Sequence, residues 1–418
     1  MNSLPASIEG HRVQARATDS VVRGTVHWAP LKSLWFLGML AGAVLGGLAT
    51  ISVGAVTLFV VSTAIVLLLG HSLGSHRKLI HDSYQCPKWL EYLLVYCGVQ
   101  VGLAGPLGLL RQHELRDYAQ RLPTCHDYLR HGRAPWVDAW WQLNCELQLE
   151  APPPIRIEPR IAEDRFYRFL ERTWMAQHVP WAVLFFAWGG WGYVFWGVCA
   201  RVTAGVFGHW LIGYFAHNRG GMRYEVQGAA VQGRNIKLTS LLTMGESWHN
   251  NHHAYPGSSR LGIHAGEWDP GWWTLMLLRR VGLVWAVRLP QDLPQRAELV
   301  VLDAGGEVAA AAAPATTLVA AWRIARTGLR ARVVWPGSIV SPRALARVAG
   351  SDVELARERR CRRFEVQMGE ARLLGLPAVW VLIARRHMLA RFATATLLPI
   401  AIAAERFRRW LDTDYALR

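Results

Sequence analysis

The sequence predicts an all-α integral membrane protein: four transmembrane helices as two hairpins, with interfacial helices and a histidine-bearing cap on the cytosolic side. Three observations carry that prediction. From Ser33 to His76 there is no Asp, Glu, Lys or Arg, and a spanning helix needs only about 20 apolar residues. A second apolar block, Val179–Ala216, has Arg201 as its only charged residue. Histidines cluster beyond the blocks, at His76–His81 and at His249–His253.

The composition agrees. The chain has 418 residues, enough for more than one folding unit, is 52% hydrophobic and contains 21 Trp, a content that suits aromatic belts at both membrane interfaces. The formal charge of +16 fits the basic cytoplasmic face of a membrane protein better than a nucleic-acid binder. None of the six cysteines forms a C-x-x-C pair, which argues against a zinc ribbon or a redox dithiol and for reduced, buried thiols.

Taken in order, residues 1–32 are polar, carry Arg12, Arg16, Arg23 and Lys32, and lack the apolar stretch of a secretory signal; they read as a cytosolic N-terminal segment. Leu34–Thr50 and Ser52–Gly70 read as a tight helical hairpin turning between Gly46 and Gly54. Tyr92–Leu110 is a third apolar run, interrupted by Gly105-Pro106. If it spanned, His113 would lie across the membrane from His76 and His81, so a re-entrant or interface-lying helix is expected. Residues 134–178 read as cytosolic, with Pro152-Pro153-Pro154 ending one element. Val179–Ala216 reads as the second hairpin, turning near Cys199–Thr203. Gly271–Leu289 reads as a Trp-bearing interfacial helix. The outer turns then contain one basic residue, Arg201, which places both termini and every histidine group in the cytoplasm, in a bacterial inner membrane. Residues 33–290 form the membrane domain. Residues 291–418 are an Arg-rich extension of uncertain fold: from Ala297 on it has 19 Arg and no Lys against 11 Asp plus Glu. Within it Ala309–Ala313 reads as a linker or helix start, Thr317–Arg332 as a basic amphipathic helix, and Phe392–Ala404 as a short apolar segment that packs or lies in the interface.

Histidine is the commonest metal ligand near neutral pH. In His249-Asn-Asn-His252-His253, residues three and four apart share a helix face, so all three imidazoles can point at one metal. Such a run without cysteine suits iron better than structural zinc. His76 and His81, five apart, diverge by roughly 140° on an α-helix; they serve two metals or sit where the helix ends. His113 and Asp117 are four apart, and Asp117 is a candidate carboxylate ligand. Arg116 has no free lone pair and cannot be one. His217 closes the fourth apolar run. His126 and His131 lie in a polar stretch and read as solvated surface histidines. Trp248, Tyr255, Trp268, Trp272 and Trp273 read first as interfacial anchors, and alternatively as the lining of an acyl tunnel.

At these residues the sequence resembles the membrane fatty acid desaturase family, especially its acyl-CoA desaturase-like branch, over roughly 30–290. The boxes H-x4-H, H-x-x-H-H and H-x-x-H-H are typical of that family, and "GESWHNNHHAYP" is close to its third box. The resemblance implies a di-iron centre at the cytosolic membrane face, with two non-haem irons ligated by His76, His81, His113, His217, His249, His252 and His253. By family-like position, Glu246 and Asp269 orient the ligands. Two departures stand out. The second box ends Arg116-Asp117 instead of His-His, and the family's Asn four residues before the His matched by His217 is Gly213. Among His71, His126, His131 and His209 are candidates to compensate.

The resemblance further implies a fatty acyl desaturase. An unactivated methylene C–H bond resists side-chain acids and bases, so the metal does the hard chemistry. O2 is co-substrate, two electrons enter per turnover, and a cis double bond forms in an acyl chain carried by CoA, lipid or a carrier protein. The sequence has no fused "HPGG" haem box and no cysteine cluster, so a separate ferredoxin- or cytochrome b5-like carrier is the expected electron donor, docked by the basic face. A lipid hydroxylase or decarboxylase of the same superfamily would share the metal centre, and the altered second box also suits a degenerate metal-binding protein. Transport would call for ionisable residues within the spans; here they are few, chiefly Arg201 and His209.

Overall fold

The computed structural model describes residues 12–264 and 266–302. The linker, amphipathic helix and apolar segment expected after residue 302 lie outside the described residues. Residues 12–261 and 269–302 belong to one compact unit. Of a second unit, the described part is the loop 262–264 and 266–268, in which the His264 amide donates to Glu267 Oε2 at 3.0 Å.

The main unit is mostly helical, with three helices long and apolar enough to cross a membrane. The first, α1 (Pro30–Ala49), starts with Pro30, whose missing N–H costs nothing at a helix start. The chain breaks over residues 50–52, and Ser52 caps the next helix by accepting from the Ala55 amide at 3.2 Å. This second helix, α2 (Val53–Ile80), widens from α to π geometry over Val66–Ile80. Helix α3 (Lys88–Val99) lies along that π segment. The approach is close because α2 presents Gly70 and Gly74 one turn apart. A Cβ at Gly70 would sit 2.3 Å from the Cys97 carbonyl oxygen, and one at Gly74 would sit 2.2 Å from that of Leu94. Small residues at this spacing are how membrane helices bring backbones together. The third apolar run is therefore split: α3 ends at Val99 and α4 (Pro106–Arg121) begins at Pro106.

After α4 come α5 (Asp127–Arg130), α6 (Pro135–Asn144), α7 (Pro159–Ala162) and α8 (Arg165–Thr173). Glu171 of α8 caps the start of α4, accepting from the Leu107 and Gly108 amides at 2.9 and 3.1 Å, a favourable place for a carboxylate. One apolar core joins Leu79, Val95, Val99, Leu110, Tyr167 and Leu170 from α2, α3, α4 and α8. A second joins Val13, Val21, Tyr118, Ala119, Leu129 and Leu149. Helix α4 contributes to both, which fixes its middle turn, where His113 stands.

The third apolar helix, α9 (Ala176–Asn218), is broken at Gly189–Gly190, where Gly190 has φ 66°, a conformation that favours glycine. The chain reverses there. A straight helix would hold Phe185 and Gly197 about 18 Å apart, yet a Cβ on Gly197 would meet the Phe185 ring at 2.7 Å. Arg201 Nη2 also lies 3.3 Å from His178 Nδ1. The turn expected near Cys199–Thr203 is thus corrected to Gly189–Gly190; residues 195–218 are helical throughout. Reading the apolar block by charge alone drew the turn to Arg201, whereas the paired glycines supply the backbone freedom.

The mostly helical unit also carries two short antiparallel pairings that the expectation did not include. Strand β1 (Ser20–Trp28) pairs antiparallel with β2 (Cys145–Ala151), and β3 (Tyr224–Val226) pairs with β4 (Leu299–Val301). Ser-Val-Val-Arg-Gly-Thr-Val-His-Trp is rich in β-branched residues, and its polar members hid a strand. Helices α10 (His249–Ala254) and α11 (Pro270–Arg280) complete the unit. Trp248 and Trp272, each 2% exposed, are core residues and not interfacial anchors.

Candidate metal centre

Two groups of imidazoles form at the ends of the apolar helices. His76, His81, His113 and His252 make the first and His217, His249 and His253 the second; within each group one ligand-capable atom per residue lies within 4.8 Å of all the others. These side chains come from the ends of α2 and α9, the middle of α4, and α10.

The third box does not aim at one point. On α10, His249 and His253 are four apart and face His217, while His252 turns to His76. The run serves two groups because adjacent positions on a helix diverge by about 100°. His76 and His81 do the reverse of what α geometry predicts. The π turn at the end of α2, with the His81 amide on the His76 carbonyl at 3.1 Å, brings their rings to 4.9 Å. An i→i+5 turn rotates residues five apart onto one side, and such turns recur at functional sites.

The donor sets fit a metal ion. His217, His249 and His253 bring their Nε2 atoms to pairwise separations of 3.0, 3.1 and 3.4 Å. Ligands about 2.1 Å from one metal lie about 3.0–3.4 Å apart for right-angle to tetrahedral geometry. His217 Nδ1 donates to the Gly213 carbonyl at 2.6 Å, which leaves the Nε2 lone pair pointing into the group. In the first group His76 Nε2 lies 3.3 Å from His252 Nε2. Its Nδ1 faces Glu246 Oε2 at 2.5 Å, off the axis of an ideal hydrogen bond. His252 Nδ1 is buried without a hydrogen-bond partner.

Burial disfavours the protonated form of four of these imidazoles. Burial, and then neighbouring imidazoles, hold His249, His252 and His253 well below the ordinary histidine range. Burial lowers His113 too, against the pull of Asp117. Neutral imidazole is the ligating form. Asp117 itself stands outside both groups: its Oδ2 is 3.6 Å from His113 Nδ1 and 3.9 Å from Arg121 Nη2. Its charge nevertheless reaches both His113 and His249.

Behind the first group runs a buried ionic chain. Arg77, 1% exposed, donates to Asp269 Oδ1 at 2.8 Å, to the Ser259 carbonyl at 2.9 Å and to Glu246 Oε1 at 3.1 Å. Ser72 donates to the same Glu246 oxygen at 2.6 Å. Burial raises the Glu246 pKa, and its contacts with His76 and Arg77 more than offset that and hold it below the usual carboxylate range. Asp269 stands one residue further back, accepting from the Trp272 and Leu261 amides at 2.9 and 2.8 Å. Glu246 thus touches a predicted ligand, and Asp269 reaches it through Arg77.

Sequence reasoning missed several neighbours. Arg12 donates to Glu114 at 2.6 Å, to Glu158 at 2.7 Å and to the Ile80 carbonyl at 2.7 Å, tying the end of α2 to the helix that carries His113. Asn250 bridges the Arg223 and Tyr224 amides and the Gly233 carbonyl at 2.7–2.9 Å, and so locks the six-residue α10. The box spacing offered a signal for Asn250, but an arginine far from the boxes in sequence offered none for Arg12. His131, expected at the surface, is 4% exposed. His126 caps α5, its Nδ1 accepting from the Tyr128 amide at 3.1 Å.

A fatty acid desaturase family model matches residues 109–294. The chain is 34% identical over 231 residues, 54% of this chain and 69% of the relative, to the sn-1 stearoyl-lipid 9-desaturase of Synechocystis sp.. It is 32% identical over 268 residues, 63% of this chain and 94% of the relative, to the sn-1 stearoyl-lipid 9-desaturase of Anabaena variabilis. It is 30% identical over 289 residues, 69% and 95% of the two chains, to the sn-2 palmitoyl-lipid 9-desaturase of Nostoc sp..

Proposed function

The chain belongs to the fatty acid desaturase family, and on that premise we propose that its seven convergent histidines hold two irons at which a cis double bond enters an acyl chain. The protein is a fatty acyl desaturase, an oxidoreductase of lipid metabolism in a membrane. The observation that carries the metal assignment is the convergence of four chain segments on two imidazole groups. His76, His81, His113 and His252 hold one iron; His217, His249 and His253 hold the other, and Asp117 stands beside His113, outside both groups. Bound there, the irons supply the oxidising chemistry with O2 that an unactivated C–H bond demands. The chain's own residues do the positioning. Gly213 and Glu246 fix which nitrogen of His217 and of His76 faces the metal.

The acyl group is of the stearoyl and palmitoyl class, esterified to a membrane lipid, as in the names of the three relatives. Two electrons per turnover come from a separate ferredoxin- or cytochrome b5-like carrier, attracted by the net charge of +16. Four helical arms cross the bacterial inner membrane: α1, α2 and the two arms of α9. Their turns at 50–52 and 189–190 face outward, and both termini lie in the cytoplasm; the distribution of Lys and Arg supports this orientation.

The test is direct. Full-length protein purified in detergent is expected to carry about two irons per chain by elemental mass spectrometry, with little zinc. Membranes containing it, supplied with O2 and a reducing carrier, should gain lipid acyl chains two hydrogens lighter. Iron without a desaturated product would refute the reaction; product formation with only zinc bound would refute the metal.

A further inference from the structure

Arg116 occupies a second-box position where an imidazole would be expected, yet it is half-buried and engaged with residues outside the two metal groups. Its Nη1 meets His131 Nε2 in a short contact, and its Nη2 donates to Gln142 Oε1 at 2.8 Å. A guanidinium only donates, so His131 Nε2 accepts and its proton sits on Nδ1, which faces Asp138 Oδ2 at 2.8 Å. Asp138 is held in turn by Trp210 Nε1 at 2.9 Å. Both ring nitrogens of His131 are therefore committed, and it cannot ligate a metal as it stands.

What His131 does touch is a predicted ligand. Its ring stacks on His217, with centroids 5.4 Å apart and planes 12° from parallel. The space for that ring exists because residue 213 is glycine: a Cβ there would lie 3.2 Å from His131 Nε2. The Gly213 carbonyl also accepts from His217 Nδ1. Asn218, next to His217, donates to the His131 carbonyl at 3.1 Å.

We propose that Arg116, His131 and Asp138 form a positioning network that presses His217 into the three-imidazole group, and that Arg116 and Gly213 are two halves of one arrangement. Arg116 clamps the ring, Asp138 fixes its tautomer, and Gly213 leaves the room in which it stacks. His131 is a positioning residue that acts through His217. The inference rests on the metal assignment made above.

The experiment is metal titration of the apo full-length protein in detergent with Co(II), read by visible absorption and by bound metal per chain, with thermal unfolding of the apo form alongside. His131→Ala is expected to weaken one of two sites about 10- to 100-fold, the range for partners that orient ligands, and to leave the other unchanged. His131→Phe, which keeps the stack, should recover part of the loss. Arg116→Gln, which retains a donor, provides a second measurement should His131→Ala fail to fold, and is expected to shift the absorption of the same site. Unchanged affinity and spectrum in Arg116→Gln and both His131 variants would overturn the proposal, as would equal weakening of both sites together with a lowered unfolding temperature. Wild-type protein that binds no Co(II) would instead overturn the metal assignment, and the network with it.

Discussion

Glu246 is the residue on which the first metal group turns. It contacts His76 on one oxygen and Arg77 and Ser72 on the other, with side-chain exposures of 1% for Arg77 and 9% for Glu246. Removing one partner of a buried ion pair strands the other's charge, which costs about 3–5 kcal/mol. Glu246→Gln keeps the shape and removes the charge; it should lower iron affinity about 10- to 100-fold and reduce the unfolding temperature, as iron titration and calorimetry would show. His249→Ala should abolish desaturation and release one of two irons; retained product formation would refute its assignment as a ligand. The imidazoles also set a pH dependence. His113, His249, His252 and His253 have folded pKa values below the ordinary histidine value of about 6.5. Below that pH the unfolded chain takes up protons that the folded chain refuses, so apo stability is lost as pH falls. The apo unfolding temperature should be lower at pH 5.5 than at pH 7.5; an unchanged value would contradict the burial of these rings. At this scale the candidate imidazoles could be named from spacing, and their division into two groups could not. His252 parts from His249 and His253 because helix rotation separates them, and His81 joins His76 because the backbone is π there.

At the scale of elements, α2 has two tasks: its apolar half is sized for a membrane, and its π half carries His76 and packs on α3. Gly74→Ala would drive a Cβ into the Leu94 carbonyl, 2.2 Å away. Overpacking of this kind costs about 1–3 kcal/mol, and pushing α3 off α2 should loosen the iron of the first group as well. Gly190→Ala makes the contrasting test. Nothing lies within 4 Å of its Cβ position, but its φ is 66° and its ψ −160°, so the expected cost is conformational only, about 1–3 kcal/mol, with iron content unchanged. Comparing the two variants by thermal unfolding and elemental analysis separates crowding from backbone strain. The first hairpin was readable because no charge interrupts it and Ser52 marks the restart. The second was readable as a hairpin but not in its turn, since Arg201 resembles a loop charge until its contacts with Gly197, Gln100 and His178 are seen. Strand β1 was missed because its partner β2 lies more than a hundred residues on, and an isolated polar strand has no pattern to distinguish it.

For the molecule as a whole, both imidazole groups and the family match fall within residues 12–302. A chain ending at residue 302 is therefore expected to bind iron with the stoichiometry of the full chain; loss of iron on truncation would give the later residues a part in the site. Orientation has its own check. Ile51→Cys in the first turn should react with an impermeant thiol reagent from outside, and Asp82→Cys, just past His81, only after the membrane is opened. The sequence by itself determined the membrane class, the kind of chemistry and the identity of nearly every candidate ligand, because apolar run length and box spacing are local properties that folding does not alter. Only the tertiary structure decided which imidazoles meet, how Arg116 and His131 stand behind His217, and how Arg12, from the N-terminal segment, ties the end of α2 to Glu114 of α4. Those are contacts between residues distant in the chain, and the close packing of α2 on α3 and of α4 between two cores, not any local pattern, brings them together.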